Sequence, residues 1–329
     1  VTVGTARPHK QAESQNAYST TTPSAGNWGY VKVSSSGTVL RHCEFRYGGL
    51  GRVRRYHYSE PGSSGYRVEN SDTYMLWVNA PNPAIEVSNC ILHRAYSYGL
   101  YYDAGELSTS PIISDNVVST CPIGLHLNGN GATQGTITGN SVTGSTAYGI
   151  RASSVADSTV LSTNTVRDGG RGILFEDCSP LAQNNVVSGN SGYPFLQSGT
   201  SGPSYGGNTV TGNTMQAIGV SGTLSDDVTW VDVQGLGLPY LVVESVTVSS
   251  GATLTIDPGV VVKFDYVDIP TSSYTTYDIN KRSLTVDGIL HAEGTAVAPV
   301  VFTSIRDDER GGDTNGDGST TTPSAGNWG

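Results

Sequence analysis

Charge is what this sequence has least of: 14 % of its 329 residues are Asp, Glu, Lys or Arg, against about 25 % in ordinary soluble domains. Lysine is confined to Lys10, Lys32, Lys263 and Lys281. The net charge is −10 and the single basic knot is Arg52-Val53-Arg54-Arg55. A phosphate backbone needs a clustered basic face, so nucleic acid is excluded as a partner. No apolar run approaches the ~18 residues of a spanning helix, so membrane insertion is not expected. The chain opens Val1-Thr2-Val3, which has strand alternation and lacks the basic and apolar regions of a signal peptide. It reads as a mature segment or a piece of something longer. Zinc and thioredoxin-like motifs are also missing, because Cys43, Cys90, Cys121 and Cys178 lie far apart and no H-E-x-x-H occurs.

Helix-forming character is scarce too. Glycine supplies 42 residues, and Ser, Thr and Asn stand where charged helix formers would be. Their short polar groups compete for backbone hydrogen bonds, so a helical bundle is unlike this composition.

What is present is a repeat. Asn is followed two residues later by an aliphatic residue at Asn89/Ile91, Asn116/Val118, Asn140/Val142, Asn164/Val166, Asn185/Val187 and Asn208/Val210. Successive Asn spacings are 27, 24, 24, 21 and 23 residues. Between these marks fall Gly99-Leu100, Gly124-Leu125, Gly149-Ile150 and Gly172-Ile173. Aligned on the glycines, Leu100, Leu125, Ile150 and Ile173, with Tyr102, Leu127, Ala152 and Phe175, are predicted to point inward. Tyr101, His126, Arg151 and Leu174, with Asp103, Asn128, Ser153 and Glu176, are predicted to point outward.

Alternation kept in register over four coils predicts stacked parallel strands, a single-stranded, open-ended parallel β-helix in the all-β class. A β-sandwich also has short strands and glycine turns, but it does not require Asn at one coil position every ~24 residues. The Asn column predicts a ladder, each buried side-chain amide bonding its equivalent one coil away.

Residues 19–29 and 319–329 are the same eleven letters, an offset of 300. The segment 1–29 then reads as the end of a preceding period. Residues 30–223 read as coils with an excursion at 50–72. Residues 224–329 read as the start of the next period, with an excursion at 265–282 and a calcium-type loop at 307–319. This predicts a subunit or segment joined head to tail with further β-helix.

The stretch Val246–Phe264, then Leu284–Thr295, Pro299–Ser304, Gly311–Gly318, the Gly-Asn-Trp-Gly block and Cys43-Glu44-Phe45-Arg46-Tyr47-Gly48-Gly49 carry a resemblance. Together they resemble the right-handed parallel β-helix repeat proteins of bacterial and archaeal cell surfaces, in the pectin-lyase-like superfamily. The resemblance implies a right-handed helix and an extracellular or cell-surface setting, and no single activity.

Several residues suggest chemistry. Asp313, Asn315 and Asp317 fall at positions 1, 3 and 5 of a loop with Gly318 at 6, a hard-oxygen pattern expected to hold Ca²⁺, with Asp307 and Asp308 supplying further carboxylates. The equivalent residues 300 earlier, Glu13, Gln15 and Ala17, are expected to bind weakly or not at all. Asp103, Arg151 and Glu176 are the best outward trio for catalysis. At about 4.8 Å per coil, however, Asp103 and Glu176 stand ~14 Å apart, too far for a glycosidase pair at about 5–9.5 Å. Arg151 and Glu176 are expected to form a salt bridge.

No catalytic residue is therefore assigned. Cys43 and Cys90 follow His42 and Asn89 at matching coil positions, where an oxidising exterior permits a disulfide. Cys121 and Cys178 read as unpaired buried thiols. The excursions carry Tyr266, Tyr274 and Tyr277, suited to stacking sugars or packing a neighbouring filament.

The expected function is structural: units of an extracellular filament or surface layer that associate with copies of themselves and are stiffened by calcium. The competing expectation is a secreted polysaccharide-active enzyme, lyase or glycosidase, or a glycan-binding adhesin module on surface glycans.

Overall fold

Short alternating segments cut by sharp corners wind the chain into a right-handed parallel β-solenoid. The computed structural model describes residues 2–4, 22–50, 53–60, 63–70, 73–79, 85–106, 108–233, 235–270 and 277–328, with strands 2–4, 53–60, 63–70, 266–270 and 277–280 described as backbone only. Among these residues there is no α-helix. Glu13, Gln15, Ala17 and Tyr274, and the side chains of Tyr266 and Tyr277, lie outside the described residues.

One coil shows the plan. Tyr98–Asp103 lies in a long sheet, Ile112–Ser114 in a second, Val117–Ser119 in a third, and the chain then returns to the long sheet as Ile123–Asn128. Stacked coils give a thirteen-stranded long sheet and two seven-stranded sheets among the described residues. The register is strict: Leu100 pairs with Leu76 and Leu125, and Ile150 with Leu125 and Ile173. The inward residues of these strands are buried, as expected, Tyr102 and Phe175 included.

The corner between the second and third sheets is only two residues long, and a turn that tight forces positive φ. His42, Asn89, Asp115, Thr163 and Asn184 all take φ between 53° and 56° there, with Gly139 and Gly207 at 66° and 63°. Asn and Asp tolerate this region best after glycine, because their short side chains bond locally. The glycines that mark the repeat in the long sheet have a different reason. A Cβ on Gly124 would stand 2.5 Å from both the Gly149 carbonyl and Val142 Cγ1, so the coils stack only if it is absent.

The ladder occupies the residue after each left-handed corner. Asn116 Nδ2 donates to Asn140 Oδ1 at 2.9 Å, and the chain continues through Asn164, Asn185 and Asn208 at 2.9, 3.0 and 3.0 Å. Each amide also donates to a main-chain carbonyl, as Asn140 does to Ile113 at 2.8 Å. Asn89, predicted as the first rung, instead stands one residue early, exposed at the left-handed corner, and Cys90 takes the rung. A second ladder on the next corner, Asn190 to Asn213 at 2.8 Å, was not foreseen. Its signal is the Gly-Asn pair at 189–190 and 212–213, which matches Gly139-Asn140 and Gly207-Asn208 in the first column.

Past Ser204–Gly206 and Thr209–Thr211 the two seven-stranded sheets end, and Val228–Trp230, Thr253–Ile256 and Ile289–Ala292 form a three-stranded wall instead. A register shift between Val220 and Gly222 accompanies the change. Both excursions are antiparallel hairpins: Val53–Glu60 with Ser63–Asn70, and Tyr266–Pro270 with Tyr277–Lys281.

Candidate functional site

The long sheet has one face in the core and one outside. Its outer face divides into two halves along the solenoid.

In the half from Tyr30–Val33 to Arg171–Glu176, aromatic residues recur in outward columns of neighbouring strands. Tyr74 stacks on Tyr101 with centroids 4.2 Å apart and planes at 13°. Tyr98 meets Tyr74 at 5.1 Å and lies over the His126 ring at 5.7 Å and 21°. Trp77 sits beside Tyr74 at 5.3 Å, and Lys32 Nζ lies 3.8 Å above the Trp77 ring, a cation–π contact.

Alongside runs a polar column. Asn79 and Asn128 donate to Asp103 at 3.3 and 3.4 Å, and Asn128 donates to the Tyr101 hydroxyl at 3.2 Å. Ser153 donates to Glu176 at 2.8 Å, Arg151 donates to the same carboxylate at 2.5 Å, and His126 Nε2 lies 3.2 Å from Ser153 Oγ. The Arg151–Glu176 pair is the salt bridge that coil spacing predicts.

The electrostatics follow from burial. Burial drives His126 down to about 3, with the Arg151 charge adding to the effect, so the ring is neutral at ordinary pH. Burial pushes Glu176 up, but hydrogen bonds from Arg151 and Ser153 and the Arg151 charge outweigh it and hold the carboxyl below its ordinary value. Trp77 Nε1, His126 Nδ1 and Arg151 Nε are buried in this face with no hydrogen-bond partner among the described residues. Buried polar atoms of this kind call for an explanation, and one explanation is a ligand.

The arrangement offers stacking surfaces beside fixed donors and acceptors. Asp103 and Glu176 are separate and each is engaged by neighbours. Ser153 gives its proton to Glu176, which is the wrong partner for a nucleophile activated by His126.

The other half of the outer face is covered. Residues 305–318 cross it, with Ile305 packed on Ala217 and Leu241 and Gln216 N–H donating to the Thr314 carbonyl at 3.1 Å. Lys263, one of the rare lysines, points outward into this loop and is fully buried. Its ammonium donates to the carbonyls of Asp307 and Gly312 at 2.8 and 2.7 Å. Burial lowers its pKa, and the charges of Asp308, Asp307 and Asp313 oppose that. Asp308, Asp313 and Asp317 come within 4.8 Å of one another.

The oxygens of Asp313 and Asp317 are tied into the loop itself, whereas Asp308 Oδ1 is buried without a hydrogen-bond partner among the described residues. Asp313 accepts from the Asp317 and Gly318 N–H groups at 3.1 and 2.9 Å. Asp317 accepts from Asn315 at 3.0 Å and Thr321 Oγ1 at 2.5 Å, and Asp307 from Thr303 at 2.6 Å.

Cys43 and Cys90 face one another as expected from coil position, and both thiols are free. Cys121 and Cys178 are free and buried, and burial raises their thiols to about 11 and 12.

Residues 56–237 match the model of the family described as periplasmic copper-binding protein (NosD). No curated protein and no solved structure matches the chain. The family's periplasmic setting agrees with a place at the cell envelope, outside the cytoplasm.

The calcium expectation is corrected. The family's described metal is copper, and the loop at 307–319 holds a buried cation of the chain's own, Lys263, while Asp313 and Asp317 serve as turn acceptors. Copper does not fit this donor set either. Copper sites draw on imidazole, thiolate and thioether. Among the described residues the one group of three or more candidate ligands is the all-oxygen Asp308, Asp313 and Asp317. His93 is engaged with Ser119 Oγ at 2.7 Å, and the Cys43 and Cys90 thiols are only two donors. The metal-binding description therefore stays with the family, but a match over more than half of its length shows that this chain belongs to the NosD family.

Proposed function

We propose that this chain is a non-catalytic, glycan-binding β-helical module of the cell envelope that grips a saccharide along the outer face of its long sheet. The observation that carries this reading is the continuous aromatic strip Trp77, Tyr74, Tyr101, Tyr98 and His126, edged by Asp103, Asn128 and Arg151. A pyranose has an apolar C–H face and a rim of hydroxyls. The strip supplies rings for the first, and the polar column supplies donors and acceptors for the second. The hairpin at 53–70 forms a two-stranded sheet of its own and in the chain precedes the long-sheet strand that begins at Tyr74. Loops of that kind on a rigid scaffold commonly carry recognition.

Affinity electrophoresis against neutral, acidic and amino-sugar polysaccharides tests the reading. The native protein is expected to be retarded by at least one class. Tyr101→Ala should weaken that retardation by tenfold or more while the far-ultraviolet spectrum is kept. Migration unaffected by every polysaccharide class, or a Tyr101→Ala protein that binds as well as the native one, refutes it.

A second reading, end-to-end stacking of copies into a filament, is favoured by one observation. Val286, Ile289, Leu290 and Val297 are each exposed, Val297 to 94 %. Apolar exposure of this kind marks association surfaces.

A further inference from the structure

We propose that Cys43 and Cys90 are an oxidisable cross-link site, a disulfide staple that closes a coil whose chain takes a long detour. The inference is independent of the glycan reading.

Along the Asn ladder, neighbouring rungs are 26, 24, 24, 21 and 23 residues apart from Cys90 to Asn208. From Cys43 to Cys90 the chain runs 47 residues, because the hairpin Val53–Glu60 and Ser63–Asn70 is inserted between them. The two cysteines flank that insertion and occupy the two rungs on which Asn is missing.

A thiol does poorly what the amide does well. Asn116 Nδ2 donates to the Val87 carbonyl at 2.9 Å, and Cys90 Sγ copies that bond to the equivalent Leu40 carbonyl at 3.5 Å. Cys43 Sγ rests 3.4 Å from the Arg41 carbonyl. Neither passes the ladder on as an amide would, so these rungs give up hydrogen bonding and gain the capacity to bond covalently.

The geometry is favourable. Arg41 pairs with Ser88 and Glu44 with Ile91, so Cys43 lies directly opposite Cys90 in a parallel stack. The Cα separation of neighbouring strands, about 4.8 Å, falls inside the roughly 4.4–6.8 Å range of disulfides. Cys43 is half-buried and Cys90 buried, so an oxidant reaches Cys43 first.

The step balances with a disulfide-bearing oxidant of the extracytoplasmic compartment. The Cys43 thiolate attacks the donor disulfide and expels one donor thiolate. Cys90 then attacks Cys43 Sγ and expels the other. Two S–H bonds and the donor S–S bond break, the Cys43–Cys90 bond forms, and the donor leaves as two thiols. The bond would hold the coil bearing Tyr30 and Lys32 against Trp77 across the detour of the first hairpin.

The native full chain, oxidised with glutathione disulfide and then alkylated unfolded without reductant, tests this by peptide mass mapping. The expected result is a linked Cys43–Cys90 peptide pair lighter by two hydrogen atoms, with Cys121 and Cys178 alkylated. Hydrogen exchange in strands Val39–Arg41 and Glu44–Arg46 should be at least tenfold slower in the oxidised than in the reduced protein, and Cys43→Ser should abolish that difference. All four cysteines alkylated after oxidation, a link to Cys121 or Cys178, or equal exchange in both redox states overturns the proposal.

Discussion

At the scale of single residues, the ladder and the outer face obey the same rule: a polar side chain inside a stack must be fully partnered. Asn140 shows this. Its Oδ1 accepts from Asn116 Nδ2 and from the Asn116 N–H at 3.0 Å, while its Nδ2 donates to Asn164 and to Ile113. Asn140→Ala strands donors and an acceptor on both neighbours, and since each stranded buried group costs about 1–3 kcal/mol, a loss of roughly 3 kcal/mol or more is expected in urea unfolding. Asn89→Ala, on the exposed corner, should cost far less than an interior rung.

His126 gives a pH signature. Its folded pKa, about 3, lies below the unfolded value of about 6.5. The unfolded chain therefore takes up a proton that the folded chain refuses, and stability falls as pH drops below about 6.5. By linkage the loss between pH 6.5 and 4.5 is about 2–3 kcal/mol. Glu176 erodes stability in the same direction but only lower, as pH falls through the carboxylate range, because its folded pKa is depressed. Chemical denaturation at pH 6.5 and 4.5 should show this loss in the native protein and little of it in His126→Gln. An equal loss in both would mean that the ring titrates normally.

At the scale of elements, the crossing loop at 305–318 depends on a single buried ammonium. Lys263→Met keeps the length of the side chain and removes the donors that hold the Asp307 and Gly312 carbonyls. It also leaves the neighbouring carboxylates without their counter-charge. The expected outcome is faster hydrogen exchange through 305–318 with the Asn ladder still protected, and no change in melting temperature when a chelator is added to the native protein. A large chelator effect would show that the loop relies on a metal after all.

The loop was legible in sequence as an Asp/Gly turn rich in oxygen donors. What the spacing did not show is that Lys263, some 50 residues earlier, projects from the adjacent strand into its centre. The aromatic strip has a similar history. Tyr101 and His126 were readable as outward residues of successive coils, and so was the Arg151–Glu176 pair. Tyr74 and Trp77 were not, because the hairpin at 53–70 separates their strand from the marks that set the register.

At the scale of the whole molecule, the stack is held by neighbour-to-neighbour contacts, as in other solenoids. The coil containing the first hairpin is joined to the next only through 47 residues from Cys43 to Cys90. Closing a loop of that length with a disulfide is worth about 4 kcal/mol in the chain-entropy account. The filament reading also belongs to this scale. Sedimentation velocity over a hundredfold range of concentration, followed by negative-stain microscopy, should reveal growing species and uniform fibres if copies stack through Val286, Ile289, Leu290 and Val297. A constant sedimentation coefficient and discrete rods would rule it out.

Composition and the ~24-residue repeat are sufficient to determine an all-β solenoid, the inward and outward columns of its long sheet, and five of the six expected ladder rungs. Those follow from period-two alternation and from the demand that a buried amide find its twin one coil away. Only the tertiary structure decided which Asn of a corner is the rung, since Asn89 and Cys90 differ by one residue and only the stacking shows which of them turns into the core.

The surroundings of the two identical eleven-residue blocks were likewise decided by contact. Trp28 packs against Gly48 and donates to the Arg46 carbonyl at 2.5 Å, whereas Trp328 stacks on Phe264 at 4.6 Å. The same letters take different partners because partners are set by what the neighbouring coil presents. The charge shortage met at the outset is resolved in the same way: one of four lysines is spent inside the fold, and only the folded chain could show it.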